Sequence, residues 1–278
     1  MSSPTRRARP LPEQAPGPRP PLARRLSAHR LSAHRLLAHR LLAHGVVAHR
    51  LLAHPGVGAL AVLTAAFLVI ALPPYLTLDP ARSRSRGPAD FPAYYPLLVT
   101  HIFLGAIVLV TACLQVWPWL RRRHPRVHRW AGRGYVGAVL AASPCVLVIA
   151  PLGSFGPNEH VALTVLGLLW PASTVAGYRM ARQRRFAEHR EWMIRSVALS
   201  FSIVTNRAWG VLCVQLFVPD SLPVGGVEWR AALGQAMGVA FWLCWVVNLL
   251  VAEWWIQRSR RLTESVAGRS AGGRAERG

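Results

Sequence analysis

The chain has 278 residues, of which 52% are hydrophobic, and it carries a formal net charge of +22. The charges lie in clusters, and long stretches between the clusters contain no charged residue. A soluble basic protein would spread its arginines along amphipathic helices, so this pattern excludes a soluble globular fold.

The first element is an amino-terminal arm, residues 1–54. Residues 1–24 are rich in proline and arginine, a composition that predicts disorder. A repeat of the form Leu-x-Ala-His-Arg follows and ends at His54. On a helix its successive histidines would step around the axis by about 140°, so they do not form one metal-binding face. We expect a basic, partly helical arm that contacts anionic phospholipid.

Residues 55–257 form the predicted transmembrane domain. Six apolar stretches are long enough to cross or nearly cross a hydrocarbon core of about 30 Å. We predict helical spans at 56–76, 97–117, 134–152, 161–179, 196–218 and 233–256. The predicted fold is therefore all-α, a polytopic membrane bundle of about six helices. A disordered basic tail, residues 258–278, is predicted to follow.

The distribution of arginine predicts the orientation of this bundle. The amino-terminal arm, the loops after spans 2 and 4, and the tail together hold 28 arginines, whereas the alternate loops hold 4. By the positive-inside rule, both termini lie in the cytoplasm of a multi-pass protein of the cell membrane. The same charge indicates contact with anionic phospholipid at the cytoplasmic face. Because topology accounts for the charge, we expect no nucleic-acid partner.

Four histidines near the ends of spans are candidate ligands. His101 and His160 lie near the outer ends of spans 2 and 4, and His128 and His189 precede spans 3 and 5. The last two have matching flanks, His128-Arg-Trp-Ala-Gly-Arg and His189-Arg-Glu-Trp-Met-Ile-Arg. The match predicts that spans 2–3 and 4–5 are two copies of one helical hairpin. This symmetry would bring His101 toward His160 and His128 toward His189.

Two such pairs suggest a cofactor. Imidazoles from facing helices can supply both axial ligands of a haem iron, and two haems would carry electrons across the bilayer. This helix-by-helix pairing resembles the layout of the cytochrome b561 family. The hypothesis is transmembrane electron transfer through haem b, with the four histidines as metal ligands and no catalytic residue. The alternative is that the histidines cap helices and contact lipid headgroups.

Arg207 is a separate signal, because a bare guanidinium in the middle of span 5 would cost several kcal/mol. It must face the bundle interior, where it would bind a haem propionate, another anionic ligand or helix carbonyls. Two alternatives to electron transfer therefore stay open. One is a non-redox membrane protein that binds a small anionic ligand or lipid, and the other is a structural or partner-binding subunit. The sequence does not decide whether the protein is an enzyme.

Several short motifs carry a family resemblance. They are His101-Ile-Phe-Leu-Gly with Gln115, His128-Arg-Trp-Ala-Gly-Arg-Gly-Tyr, His189-Arg-Glu-Trp-Met-Ile-Arg-Ser, and Arg207. In these motifs the chain resembles a bacterial family of predicted membrane proteins, domain of unknown function 2306. The resemblance implies a membrane topology and supplies no activity.

Overall fold

The described part of the chain consists of α-helices. The computed structural model describes residues 55–275, with the exception of Arg86. These residues contain no strand, two 3-10 helices (Pro80–Arg82 and Ala150–Leu152) and nine α-helices. The α-helices are α1 Pro55–Ala71, α2 Pro73–Leu76, α3 Tyr94–Val116, α4 Pro118–Arg123, α5 Pro125–Ile149, α6 Pro157–Arg182, α7 Phe186–Ser200, α8 Ser202–Phe217 and α9 Val227–Ala275. The predicted all-α fold is confirmed, and the predicted arm, residues 1–54, lies outside the described residues.

Several of these helices suit a membrane. Helix α3, helix α5 with its 3-10 extension, helix α6 and the first 36 residues of α9 are each long and apolar enough to cross one. Helices α7 and α8 qualify together as one span bent by 45°, and α1 is a shorter apolar helix of 17 residues. The outer surface exposes large apolar side chains, as contact with lipid requires; among them are Val69, Val110, Leu168, Val211 and Leu250. A helical membrane bundle is confirmed, while the count of six and the orientation stay predictions.

The helices pack as neighbouring hairpins. Helix α3 packs against α5, helix α6 against α7, and α9 lies along α6, α7 and α8. Their shared core includes the buried side chains of Val108, Tyr135, Val139, Leu199 and Cys244. The hairpin connections 117–125 and 183–186 define what we name the arginine-rich end, and 150–157 and 218–226 define the opposite end. The pairing of adjacent spans agrees with a duplicated hairpin, but the duplication itself stays a prediction.

Most helices extend beyond the predicted spans. Helix α5 begins at Pro125, α6 at Pro157 and α7 at Phe186, several residues earlier than the hydropathy of the chain predicts. Proline is well suited to the first turn of a helix, and helical structure can continue past the apolar segment. His128, His160 and His189 are therefore each the fourth residue of a helix rather than loop residues. At the other terminus α9 continues to Ala275, past the predicted end of span 6.

The bend at Phe201, between α7 and α8, is held by α9. The amide of Asn248 donates to the Ala198 carbonyl over 3.0 Å and to the Thr205 hydroxyl over 3.2 Å. That hydroxyl in turn lies 3.1 Å from the Cys244 carbonyl. Side chains that bond freed carbonyls are a common cause of helix bends in proteins. The bend sets the direction of α8, which carries Arg207.

Candidate functional site

A cavity of about 480 Å³ lies within the helix bundle, toward the opposite end. Helices α1, α3, α5, α6, α7, α8 and α9 and the segment 153–155 all contribute to its wall. The wall is mainly aliphatic and aromatic, including Leu98, Ile102, Leu163, Leu166 and Phe241. The polar side chains of the wall that could bind a ligand through charge or hydrogen bonds include Arg84, His101, Glu159, Asn206 and Arg207. Apolar cavities with a few polar groups are the usual form of small-molecule sites.

His101 presents one free nitrogen to this cavity. Its Nδ1 lies 3.1 Å from the Ala142 carbonyl on α5, and its ring meets the Trp170 indole edge-on, with centroids 6.2 Å apart. A carbonyl oxygen only accepts hydrogen bonds, so Nδ1 must carry the hydrogen. The Nε2 atom has no hydrogen-bond partner among the described residues, and in the neutral ring it is an acceptor.

Asn206 and Arg207 form the polar part of the α8 wall. Asn206 is 5% exposed, yet its Oδ1 is buried without a hydrogen-bond partner among the described residues. Arg207 lines the cavity, but its side chain is exposed rather than enclosed in the bundle interior as predicted, and it forms no ion pair with any carboxylate of the described residues. A buried amide oxygen without a partner is costly, and native structures ordinarily satisfy such atoms with protein, water or ligand.

Among the described residues of the cavity wall, arginines outnumber carboxylates. The described arginines are Arg84 and Arg207, and the described carboxylate is Glu159. Glu159 is 6% exposed, and its Oε2 accepts from the Phe155 backbone N–H over 2.7 Å. Gly153 lies so close to this carboxylate that a Cβ there would collide with it. With all three groups ionised, the cavity keeps one excess positive charge.

A cluster of buried hydroxyls supports the cavity wall from inside the bundle. The Tyr135 hydroxyl lies 2.6 Å from Ser196 Oγ and 2.8 Å from Ser200 Oγ, and Thr174 Oγ1 lies 2.6 Å from Ser196 Oγ. The Trp170 indole N–H donates to Ser200 Oγ over 2.8 Å. These bonds join α5, α6 and α7 and fix the indole at the cavity wall.

The histidines predicted to pair at the outer face have different surroundings. His160 does not line the cavity, and its Nε2 lies 2.9 Å from the Gly153 carbonyl, within its own turn and loop. His101 instead lies level with Trp170, ten residues further along α6, which is about 15 Å at 1.5 Å per residue. His101 and His160 are therefore not brought together across the cavity.

The second predicted pair lies at the arginine-rich end. His189 Nδ1 is 2.8 Å from the Gly177 carbonyl, which leaves Nε2 without a partner in the described residues. His128 Nδ1 is buried without a partner there, and the two rings are close enough to interact electrostatically. Residues 55–275, apart from the undescribed Arg86, contain no group of three or more His, Cys, Asp or Glu side chains that could hold a metal ion.

A match to a family model identifies the family of this chain. A family model described as a predicted membrane protein, DUF2306, matches residues 98–256, which is more than half of the chain. This chain belongs to the DUF2306 family. No curated protein and no solved structure matches it. The matched region contains every predicted site residue, and it contains all cavity-lining residues from Leu98 onward.

Within this DUF2306 region, the two histidine motifs form similar local contacts. Arg133 lies over the Trp130 ring at 5.0 Å, and Arg195 lies over the Trp192 ring at 4.8 Å. Arg195 also forms an ion pair with Glu253 on α9. Stacked arginines of this kind suit the membrane interface, where aromatic rings and charges meet the headgroups.

The sequence reasoning missed three features of the site. Glu159 was not singled out, although a single carboxylate at the start of an apolar span is itself a signal. Asn206 is not among the predicted site residues. The hydroxyls of Thr174, Ser196 and Ser200 were not recognised as a cluster, because only the packing of α5, α6 and α7 brings them to Tyr135.

Proposed function

We propose that this protein binds a small anionic amphiphile in its cavity, with Arg207 holding the anionic group. The observation that carries the proposal is an arginine without an ion pair in the described residues, on the wall of a mainly apolar cavity. A guanidinium offers five donors in a planar fork that matches carboxylate and phosphate oxygens. The aliphatic wall would contact the apolar part of the same ligand.

The charge of the cavity favours an anion over a cation. Arg84 and Arg207 outnumber Glu159, and the Glu159 carboxylate already accepts a backbone hydrogen bond from Phe155. Charge in an apolar medium is costly unless it is paired, so binding an anion would stabilise the arginine as well as the ligand. The activity would be binding or carriage of a ligand, without covalent chemistry.

The substitution Arg207→Gln tests this function. Removing a charge-assisted hydrogen bond costs about 1.5–3 kcal/mol, so affinity should fall at least roughly tenfold. The purified protein would be titrated with dioctanoyl phosphatidylglycerol, and thermal stabilisation would be measured at each concentration. Arg230→Gln is the matched control, because Arg230 begins α9 at the same end and does not line the cavity. Equal stabilisation of wild type and Arg207→Gln would refute the proposal.

A second candidate function is haem-dependent electron transfer at the arginine-rich end. It is supported by the unpartnered Nδ1 of His128 and by the presence at the same end of His189, whose Nδ1 is bonded to the Gly177 carbonyl. Histidines that ligate iron commonly bond their other nitrogen to a carbonyl in this way. Arg121 and Arg129, at the same end, would balance propionate charge.

An absorption spectrum tests this second candidate. Membranes that contain the protein and a haem supply should show a reduced-minus-oxidised Soret difference. His128→Ala and His189→Ala should remove the difference, whereas the exposed His124→Ala, at the same end, should retain it. A folded protein that stays colourless with haem supplied would eliminate this candidate.

The membrane context completes the proposal. We infer that the protein lies in the cell membrane with its arginine-rich end in the cytoplasm, in contact with anionic phospholipid. Exposed Trp130 and Trp254, each stacked under an arginine, support an interfacial position for this end. In this orientation the ligand cavity lies in the outer half of the bilayer.

A further inference from the structure

We propose that the ligand of the cavity carries a hydroxyl group beside its anion, as the glycerol phosphate headgroup of phosphatidylglycerol does. This inference rests on the proposed function and narrows its ligand class. It is carried by two hydrogen-bond acceptors that have no partner among the described residues, His101 Nε2 and Asn206 Oδ1, and both belong to residues that line the same cavity.

The first acceptor follows from the tautomer of His101. Its Nδ1 carries the hydrogen because it faces the Ala142 carbonyl at 3.1 Å. The neutral ring therefore has its lone pair on Nε2. A ligand that offers only an oxyanion would have no hydrogen to donate to this nitrogen, whereas a hydroxyl can donate one.

The second acceptor is on a different helix. Asn206 is 5% exposed, and its Oδ1 is buried without a partner in the described residues. Such an atom loses its hydrogen bond to water and gains nothing in return. A small rotation of the Asn206 side chain toward the cavity would let a donor of the ligand remove this penalty. An oxyanion cannot remove it, because oxyanions only accept.

The arginines and these acceptors together define the headgroup. Arg207 and Arg84 donate, which suits a phosphate or carboxylate, and His101 and Asn206 accept, which suits a hydroxyl. An ammonium group would also donate, but two arginines against the single carboxylate of Glu159 disfavour a cationic group in this cavity. The headgroup chemistry that satisfies all of these side chains is an anion next to a neutral hydroxyl.

The test compares two lipids of equal charge, of which only one has hydroxyls in its headgroup. Dioctanoyl phosphatidylglycerol and dioctanoyl phosphatidylethanol have the same single negative charge, but the second lacks hydroxyls. Native mass spectrometry of the wild-type protein should give phosphatidylglycerol a roughly threefold to tenfold lower Kd, the range for one neutral hydrogen bond. Equal Kd values would overturn the inference without any variant being needed.

Two variants test which residues distinguish phosphatidylglycerol from phosphatidylethanol. Asn206→Leu and His101→Phe should each bring the ratio of the two Kd values toward one. The two effects can be measured separately if one variant folds poorly. Arg207→Gln should instead weaken both lipids by similar factors and preserve the ratio. If neither lipid binds, or Arg207→Gln changes neither Kd, the proposed function fails. If both bind and the wild-type ratio is one, only the hydroxyl inference fails.

A further arm separates two sources of this headgroup. Free glycerol 3-phosphate presents the same anion and hydroxyls without acyl chains. Competition by glycerol 3-phosphate at concentrations near the lipid Kd would identify a soluble ligand. Failure to compete, with phosphatidylglycerol still preferred over phosphatidylethanol, would identify a lipid.

Discussion

The Tyr135 hydroxyl supports the cavity wall through hydrogen bonds. Tyr135 is 0% exposed, and its hydroxyl bonds to Ser196 and Ser200 on α7. Ser200 also accepts from the Trp170 indole, which His101 contacts. One phenol oxygen therefore connects the helix packing to the positions of two cavity groups.

Tyr135→Phe removes this oxygen and keeps the ring. The hydroxyls of Ser196 and Ser200 would each lose a partner, so the free energy of unfolding should fall by roughly 1–2 kcal/mol. Tyr178→Phe is the control, because Tyr178 is 41% exposed on α6 and no hydrogen bond joins its hydroxyl to the described residues. Unfolding in detergent, followed by circular dichroism, measures both. Equal stability of the two variants would show that the hydroxyl cluster does not stabilise the bundle.

Single residues were predictable where burial in an apolar span is costly. Arg207 and His101 stand out in the sequence because charges and imidazoles are rare in membrane helices. Asn206 and Tyr135 do not stand out, since asparagine and tyrosine are common in such helices, and only tertiary packing leaves one without a partner and surrounds the other with hydroxyls. Arg195 and Glu253, 58 residues apart, are likewise joined only by the packing of α7 against α9.

The contact between helices α6 and α7 involves the His189 motif of the family. A Cβ at Gly177 would lie 2.7 Å from Met193 Sδ and 3.3 Å from the Trp192 Cβ. The Gly177 carbonyl also accepts from His189. Small residues of this kind let membrane helices approach closely. The His189 motif therefore has a structural role on α7 as well as a proposed chemical one.

Gly177→Ala should disturb this contact. Overpacking costs about 1–3 kcal/mol, against a gain of up to about 1 kcal/mol from better helix propensity. Gly137→Ala on α5 is the control, because no atom lies within 4 Å of a Cβ at that position, and this variant should be neutral or stabilising. In a Met193→Ala background, which removes the contacting side chain, the same glycine substitution should cost less. Thermal unfolding of the wild type and of the single and double variants checks this, and a stabilised Gly177→Ala would contradict the close contact.

Helix existence was predictable from hydropathy, whereas helix ends were not. The apolar runs identify α3, α5, α6 and α9 because lipid selects for long uncharged helices. Hydropathy cannot report where a helix continues into water, so the predicted spans 3 and 5 began 9 and 10 residues later than α5 and α7. The bend at Phe201 was also missed, because Asn248 reaches the Ala198 carbonyl from a distant helix.

At the scale of the whole molecule, charge separates the two ends of the bundle. The ion pairs of Arg195 with Glu253 and of Arg260 with Glu191 join α7 to α9 at the arginine-rich end. The cavity lies toward the other end, beside Glu159 and the segment 153–155. A cytoplasmic arginine-rich end would place the cavity in the outer half of the membrane and determine which leaflet supplies its ligand.

Reporter fusions along the chain measure membrane insertion and orientation together. Fusions of green fluorescent protein after Arg184 and after Gly278 should fluoresce, because both positions are predicted to be cytoplasmic. Fusions of alkaline phosphatase after Phe155 and after Leu222 should be active, because the opposite end is predicted to be outside. A dark fluorescent-protein fusion after Gly278, or an inactive phosphatase fusion after Phe155, would contradict the orientation. Protein recovered in the supernatant after membranes are pelleted would contradict insertion itself.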